Sequence, residues 1–124
     1  MLRRTLTALA MYLSLALVPL SAVAHVGHGA PGVAIDLERV DRKGAQLTIG
    51  LRLENTSDAP MLLQSFSTEL GTVQLVQGDP LIKPGEVTHM VLSLEVQGDM
   101  PGLFTLIVDF GEDGAGPVLV FTGA

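Results

Sequence analysis

Apolar and polar residues alternate along much of the chain, most regularly between residues 46 and 55. An apolar residue occupies every second position there, and mostly polar residues fill the positions between. Successive side chains of a β-strand point to opposite faces, so this pattern predicts a strand with one buried face and one wet face. The apolar stripe comprises Leu47, Ile49, Leu51 and Leu53.

Two later segments repeat the pattern, although Val91 interrupts the polar face of one and Ile107 that of the other. Each carries four apolar residues at alternate positions, which predicts two further half-buried strands. The two stripes are Met90, Leu92, Leu94 and Val96, and Phe104, Leu106, Val108 and Phe110.

Shorter apolar runs at residues 33–38, 61–66, 72–76 and 118–121 bring the number of predicted strands to about seven. Residues typical of turns separate these runs. We therefore predict an all-β protein, a small antiparallel β-sandwich of cupredoxin-like or immunoglobulin-like architecture, with no helix of ordinary length after residue 24.

The first 24 residues have the order of features of an export signal. Arg3 and Arg4 supply a positive start, residues 13–20 are almost entirely apolar, and Ala22-Val23-Ala24 matches a small-residue cleavage pattern. We predict a signal peptide cleaved after Ala24, and hence a periplasmic or secreted protein. The apolar part is short for a membrane span and no later segment resembles a stop-transfer sequence, so no span is expected after processing.

Processing would leave a glycine-rich, flexible arm at residues 25–32 and one β-sandwich domain at residues 33–124. Loss of Arg3 and Arg4 would change the formal net charge of the chain from −6 to −8. Such an acidic surface repels nucleic acid and is compatible with metal cations. The chain contains no cysteine, which excludes disulfides, thiolate-ligated copper and cysteine-based zinc sites.

The arm carries two of the candidate metal ligands, His25 and His28. If cleavage follows Ala24, His25 offers its free α-amine and its imidazole to one ion, and His28 adds a third nitrogen from the same arm. Nitrogen donors suit Cu(II), which heads the divalent affinity order. The alternative is an unstructured start to the chain with incidental histidines.

His89, Met90 and Met100 are the other candidate ligands, because imidazole and thioether donors together favour Cu(I). In a regular strand, however, Met90 would belong to the core stripe and His89 would face outward. One ion could then bind both only if the strand bulges there or begins at Met90. Met100, in a turn, is expected to be exposed, whereas Met61 is expected to serve packing.

No motif of an activated serine, cysteine, phosphate-binding loop or zinc protease occurs in the chain, so we expect no enzymatic activity. A copper oxidase or monooxygenase that uses an amino-terminal histidine brace is a further hypothesis, ranked lowest because the chain is small and poor in aromatic residues.

Several phrases between Leu47 and Gly114 resemble periplasmic copper chaperones of the PCuAC type. They are Asn55-Thr56-Ser57, Pro84-Gly85, His89 and Phe110-Gly111-Glu112-Asp113. The resemblance implies an exported cupredoxin-like β-sandwich that binds copper, with His89 as a ligand.

Two departures from that family concern its metal ligands. Where the family has its first histidine and methionine, this chain has Val76-Gln77-Gly78, and the second residue after His89 is Val91 where the family has methionine. Only His89 therefore matches the family's ligand positions. The arm with His25 and His28 could replace the missing ligands, and a mixed site with Met90 or Met100 could hold copper in both oxidation states.

These observations lead to two main hypotheses from different classes. The first is an exported copper chaperone or buffer that delivers the ion to a cuproenzyme or a copper-transport protein. The second is a metal-free immunoglobulin-like interaction module of an envelope complex, in which strand edges carry the function.

Overall fold

The computed structural model describes residues 31–123, which form nine β-strands and one short 3-10 helix. The predicted signal segment 1–24 and most of the predicted arm, including His25 and His28, lie outside these residues. The elements are β1 (Val33–Lys43), β2 (Gln46–Asn55), β3 (Met61–Leu62), β4 (Ser65–Ser67), β5 (Val73–Gln77), β6 (Leu81–Ile82), β7 (Val87–Glu95), β8 (Leu103–Asp109), the 3-10 helix η1 (Gly111–Asp113) and β9 (Ala115–Phe121).

The strands form two main antiparallel sheets and one small pair. The first sheet has the order β1-β2-β7-β5 and the second has the order β4-β8-β9. A two-stranded pair, β3-β6, joins Met61 to Ile82 and Leu62 to Leu81. The predicted strand at residues 61–66 is thus two strands, β3 and β4, and β6 lies in a stretch where no strand was predicted.

The three predicted apolar stripes form the core of a β-sandwich, as the sequence pattern predicts. The stripes of β2 and β7 in the first sheet and of β8 in the second belong to one cluster of buried side chains. Burial of this apolar area from water is the main favourable contribution to folding in a domain without disulfides. Within residues 31–123, no helix is long and apolar enough to cross a membrane.

A buried asparagine fastens one end of the sandwich. Asn55, the last residue of β2, is fully buried, and its side-chain amide donates to the carbonyl oxygens of Ala59 at 2.8 Å and Ile82 at 2.9 Å. Its side-chain oxygen accepts hydrogen bonds from the amide and the hydroxyl of Ser57, at 2.9 and 2.6 Å. The polar atoms of this side chain are all satisfied, which burial of an amide requires.

The backbone of Asn55 extends the same connection to the segment before β7. Its N–H donates to the carbonyl of Glu86 at 3.0 Å, and its carbonyl accepts from the N–H of Gly85 at 2.9 Å. Nearby, the N–H of Thr56 donates to the carbonyl of Gly32 at 2.8 Å, where the chain enters β1. Asn55 therefore connects the turn after β2 to the segment that precedes β7.

We expect Asn55→Ala to lower the free energy of unfolding by about 2–4 kcal/mol, because it leaves the buried carbonyl of Ile82 without its donor and removes the hydrogen bonds between Asn55 and Ser57. Urea unfolding followed by circular dichroism measures this change. Thr56→Ala is the matched control, since Thr56 is exposed and its loss should change stability by less than about 0.5 kcal/mol. Equal stability of the two variants would contradict the role given to Asn55.

Candidate functional site

His89 lies near the start of β7, on the outer face of the first sheet. Its side chain is 63% exposed, and its Nδ1 atom lies 2.7 Å from Oε1 of Glu38 in β1. The strand β2 lies between β1 and β7, so the two side chains reach over β2 to contact one another. The outward direction of His89 is the one that the alternation of residues along β7 predicts.

A β-bulge in β1 brings Glu38 to this position. In the pairing of β1 with β2, Leu37 lies opposite Leu51 and Arg39 lies opposite Gly50, so Glu38 is the extra residue. A bulge redirects a side chain and bends the strand. Glu38 and Arg39 consequently both point outward, while Leu37 before the bulge packs against the core.

Gly50, on β2, accommodates the residue that follows the bulge. A Cβ atom on Gly50 would lie 2.9 Å from Cγ of Arg39, so the arginine side chain occupies the space above this glycine. The absence of a side chain on β2 at this point therefore leaves room for the side chain of Arg39.

An arginine on the central strand accompanies the histidine. Arg52 is in register with His89 on one side and with Asp36 on the other. Its guanidinium contacts Glu54 at 3.2 Å and Asp36 at 3.7 Å. Exposed ion pairs of this kind contribute at most about 1 kcal/mol each to stability. The two ion pairs of Arg52 therefore mainly set the arrangement of charge on this face.

The contact with Glu38 has a direct consequence for the chemistry of His89. When the carboxylate accepts the proton on Nδ1, the neutral imidazole presents Nε2 as a free electron pair. A carboxylate behind the far nitrogen is the usual support of a metal-binding histidine, because it fixes the tautomer and the orientation of the ring. In that tautomer, Nε2 is the ring nitrogen of His89 that faces away from Glu38.

Met90 lies on the opposite face of the sheet from His89. Its side chain is 1% exposed and packs in the core, and β7 begins at Val87 and pairs regularly with β2 through both residues. The condition under which His89 and Met90 would share one ion, a bulge in β7 or a strand beginning at Met90, is therefore not met. The structure assigns the Met90 side chain to packing.

Met100 lies near the other end of β7. It follows the last residue of that strand, Glu95, which is six residues and about 20 Å from His89 along the strand axis. The expectation of an exposed side chain is wrong: Met100 is partly buried and packs against the core. Met61 is buried in the core, as its packing role predicts.

The described residues contain no group of three or more histidine, cysteine, aspartate or glutamate side chains that could hold a metal ion. Within residues 31–123, His89 and Glu38 therefore lie in contact with one another, and neither Met90 nor Met100 lies beside them. The predictions for His25 and His28 lie outside the described residues and stay predictions.

The segment Val76-Gln77-Gly78 also contains a bulge. Between Leu75 and Gln77 the pairing of β5 with β7 shifts by one residue, and the extra residue, Val76, points to solvent. Gly78 follows with a φ of 119°, and a Cβ atom there would lie 2.9 Å from the carbonyl oxygen of His89. The close approach of the backbone to β7 requires glycine at this position.

Sequence reasoning named His89 as a candidate ligand but did not name Glu38, which the structure places in hydrogen-bond contact with it. The signal is present in β1, where the apolar positions 33, 35 and 37 are two apart and the next apolar residue, Val40, is three further on. Such a break in a period of two marks an inserted residue. The break in the pattern does not reveal which side chain of another strand the inserted residue contacts.

Comparison with protein-family models finds no match, and comparison with curated proteins finds none either. Among solved structures, the fold is similar to the apo PmoF2 PCuAC domain, with a TM-score of 0.60 at 14% sequence identity over 77% of this chain and 92% of that domain. The similarity establishes the class of fold, a cupredoxin-like antiparallel β-sandwich, in agreement with the predicted class.

Two further structures share parts of this architecture. The secreted serine protease VesC from Vibrio cholerae matches with a TM-score of 0.50 and 16% identity over 73% of this chain, which spans only 22% of that protein. A FixG-related protein from Vibrio parahaemolyticus matches with a TM-score of 0.49 and 14% identity over 75% of this chain and 98% of that one.

The positions of His89 and Met90 predict that only removal of the Met90 side chain lowers stability substantially. We expect His89→Ala to change the free energy of unfolding by less than about 0.5 kcal/mol, because the side chain is exposed. Met90→Ala should lower it by about 2–4 kcal/mol through loss of buried contacts. Thermal unfolding of both variants without metal tests this, and a strongly destabilised His89→Ala would contradict the assignment of His89 to the surface.

Proposed function

We propose that this protein is an exported copper-binding protein, a chaperone or buffer of the ion, with His89 as the ligand supplied by the folded domain. The contact of Nδ1 of His89 with Glu38 at 2.7 Å is the observation that carries the proposal, because it prepares Nε2 for a metal ion. The PCuAC-like fold supports the same class of function. One imidazole is too few ligands for tight binding, so further donors are needed.

The arm is the proposed source of those donors. The chain enters β1 at the end of the sandwich where β7 begins, since Val33 is in register with Asn55 and Val87 with Glu54. Asp36 lies two strand spacings, about 10 Å, from His89, and Val33 is three residues, about 10 Å, further along β1.

The contour length of the arm is sufficient for this role. His25 precedes Pro31 by six residues, which span up to about 20 Å when extended. After cleavage at Ala24, the α-amine and imidazole of His25, with His28, would complete a nitrogen-rich site at His89. Such a site suits Cu(II), and its exposure suits transfer of the ion to a cuproenzyme or a copper-transport protein.

The proposal is tested by copper titration of protein whose first residue, His25, is verified by mass spectrometry. Titrations of Cu(II) by calorimetry and of Cu(I) by competition with a chromophoric chelator give the two affinities. We expect His89→Ala, and separately a Gly-Ser extension before His25, each to weaken binding of one oxidation state by about tenfold or more, since even supporting residues change metal affinity by about 10–100-fold.

Ser93→Ala is the matched control for His89→Ala, because Ser93 lies on the same face of β7, four residues further along the strand. It should leave both affinities unchanged. Equal and weak binding by the processed protein, the extended protein and His89→Ala would refute the proposal and favour the metal-free interaction module, which predicts no dependence on these groups.

Glu38 provides a separate prediction about the supporting carboxylate. Glu38→Gln keeps the size of the side chain but removes its charge, so we expect copper to bind about tenfold more weakly with no loss of thermal stability. Asp41→Asn, on the same strand and exposed, is the control for a general change in surface charge. Equal effects of the two variants would assign the change to net charge and not to the contact with His89.

A further inference from the structure

The two sheets of the sandwich have outer faces of different character. The outer face of the first sheet carries charged residues, including Asp36, Arg52 and His89. The outer face of the second sheet is mostly apolar: Leu103 is 49% exposed, Leu119 is 48% exposed and Phe121 is 62% exposed. Exposed apolar side chains gathered on one sheet face are typical of a surface that binds another protein.

The second sheet also has an unfinished edge. The short strand β4 pairs with β8 only at residues 107–109, so within the described chain residues 103–106 of β8 have no strand beside them on that side. On the other side, β9 pairs with all of β8. Half of β8 is therefore an edge strand.

The direction of the backbone groups follows from the pairing with β9. The N–H of Thr122 donates to the carbonyl of Gly102, and Pro117, which has no N–H, lies opposite Ile107. Backbone groups alternate in direction along an antiparallel strand, so the N–H and carbonyl groups of Leu103 and Thr105 point away from β9. They face the unfinished edge and can pair with an added strand.

A groove of about 720 Å³ lies along this edge, between β8 and the segment that follows β4. The hydroxyl of Thr122 donates to the carbonyl of Pro101, which lines the groove, and so connects the segment before β8 to the end of β9. The lining includes Ser67, Glu69, Leu70, Pro101, Leu103 and Ile107.

The two edges of the second sheet differ in their protection against an added strand. On the outer edge, β9 carries Pro117, which cannot donate a backbone hydrogen bond and so discourages pairing. The open half of β8 contains neither proline nor lysine, the residues that usually guard an edge. The one unguarded edge of this sheet is the one beside the groove.

Charge indicates the nature of the occupant. Glu69 is the charged residue among those that line the groove, and Asp99 lies in the connection that leads into Pro101. After Arg52 the chain has a single basic residue, Lys83. A second copy of this chain would bring the same acidic residues to the groove, so a segment with basic residues is favoured.

We propose that this groove binds an extended segment of a partner protein, which adds as a strand beside residues 103–106 of β8. The segment carries apolar residues at alternate positions, which contact Leu103 and Ile107, and it is flanked by lysine or arginine near Glu69. Main-chain pairing supplies affinity in such strand addition, and alternate side chains supply specificity. The proposal does not depend on copper binding at His89, which lies on the other sheet.

The test uses a panel of nine-residue peptides with capped ends, in which valine, isoleucine or leucine alternates with threonine between two terminal lysines. Binding to the full-length processed protein is followed by NMR chemical shifts and amide hydrogen exchange. We expect shifts and slower exchange at the amides of Leu103 and Thr105. A peptide that differs only in a proline at its central position, which disrupts the strand, should bind about tenfold or more weakly.

Leu103→Lys and Leu119→Lys form a matched pair, because the two leucines are equally exposed on the same face and only Leu103 lines the groove. Leu103→Lys should weaken peptide binding by about tenfold or more, and Leu119→Lys by less than about threefold. Glu69→Lys should favour a peptide with terminal glutamates over one with terminal lysines.

Four outcomes would overturn the proposal. They are the absence of binding by every peptide at millimolar concentration, equal binding of the proline-containing peptide, equal effects of the two leucine variants, and concentration-dependent dimerisation with shifts at the same amides. The last result would assign the groove to a second copy of this chain. None of these outcomes bears on the affinity for copper, so failure here and failure of the proposed function are distinguishable.

Discussion

The geometry of this sandwich depends on one buried amide side chain, that of Asn55. It joins the end of β2 to the following turn and to β6, and its backbone holds the segment before β7. A buried amide tolerates little variation in position, because each lost hydrogen bond leaves a desolvated group. The starting point of β7 follows from this constraint, and with it the alternation that directs His89 outward and Met90 into the core.

The two outer faces separate two kinds of chemistry within a small domain. One face arranges charged groups around a histidine, and the other presents apolar side chains and unpaired backbone groups beside a groove. The apolar core lies between the two faces. An ion held on the first sheet would therefore leave the edge of the second sheet accessible to a partner.

The sequence predicts the core well and the surface less well. The stripes of β2, β7 and β8 follow from alternation, because burial of one face imposes a period of two on each strand. The contact of Glu38 with His89 and the distance between His89 and Met100 do not follow, because they depend on how separate strands are placed. The two-residue strands β3 and β6 are too short to show a period at all.

The bulge in β1 adds one residue without altering the inward positions around it. If Glu38 were deleted, Leu37, Arg39 and Val40 would continue the strict alternation of the strand, and the same apolar side chains would still face the core. The carboxylate beside His89 is thus supplied by a single inserted residue, which the alternation of the strand does not require. The chemistry of this face can be gained or lost by a single insertion or deletion, independently of the fold that supports it.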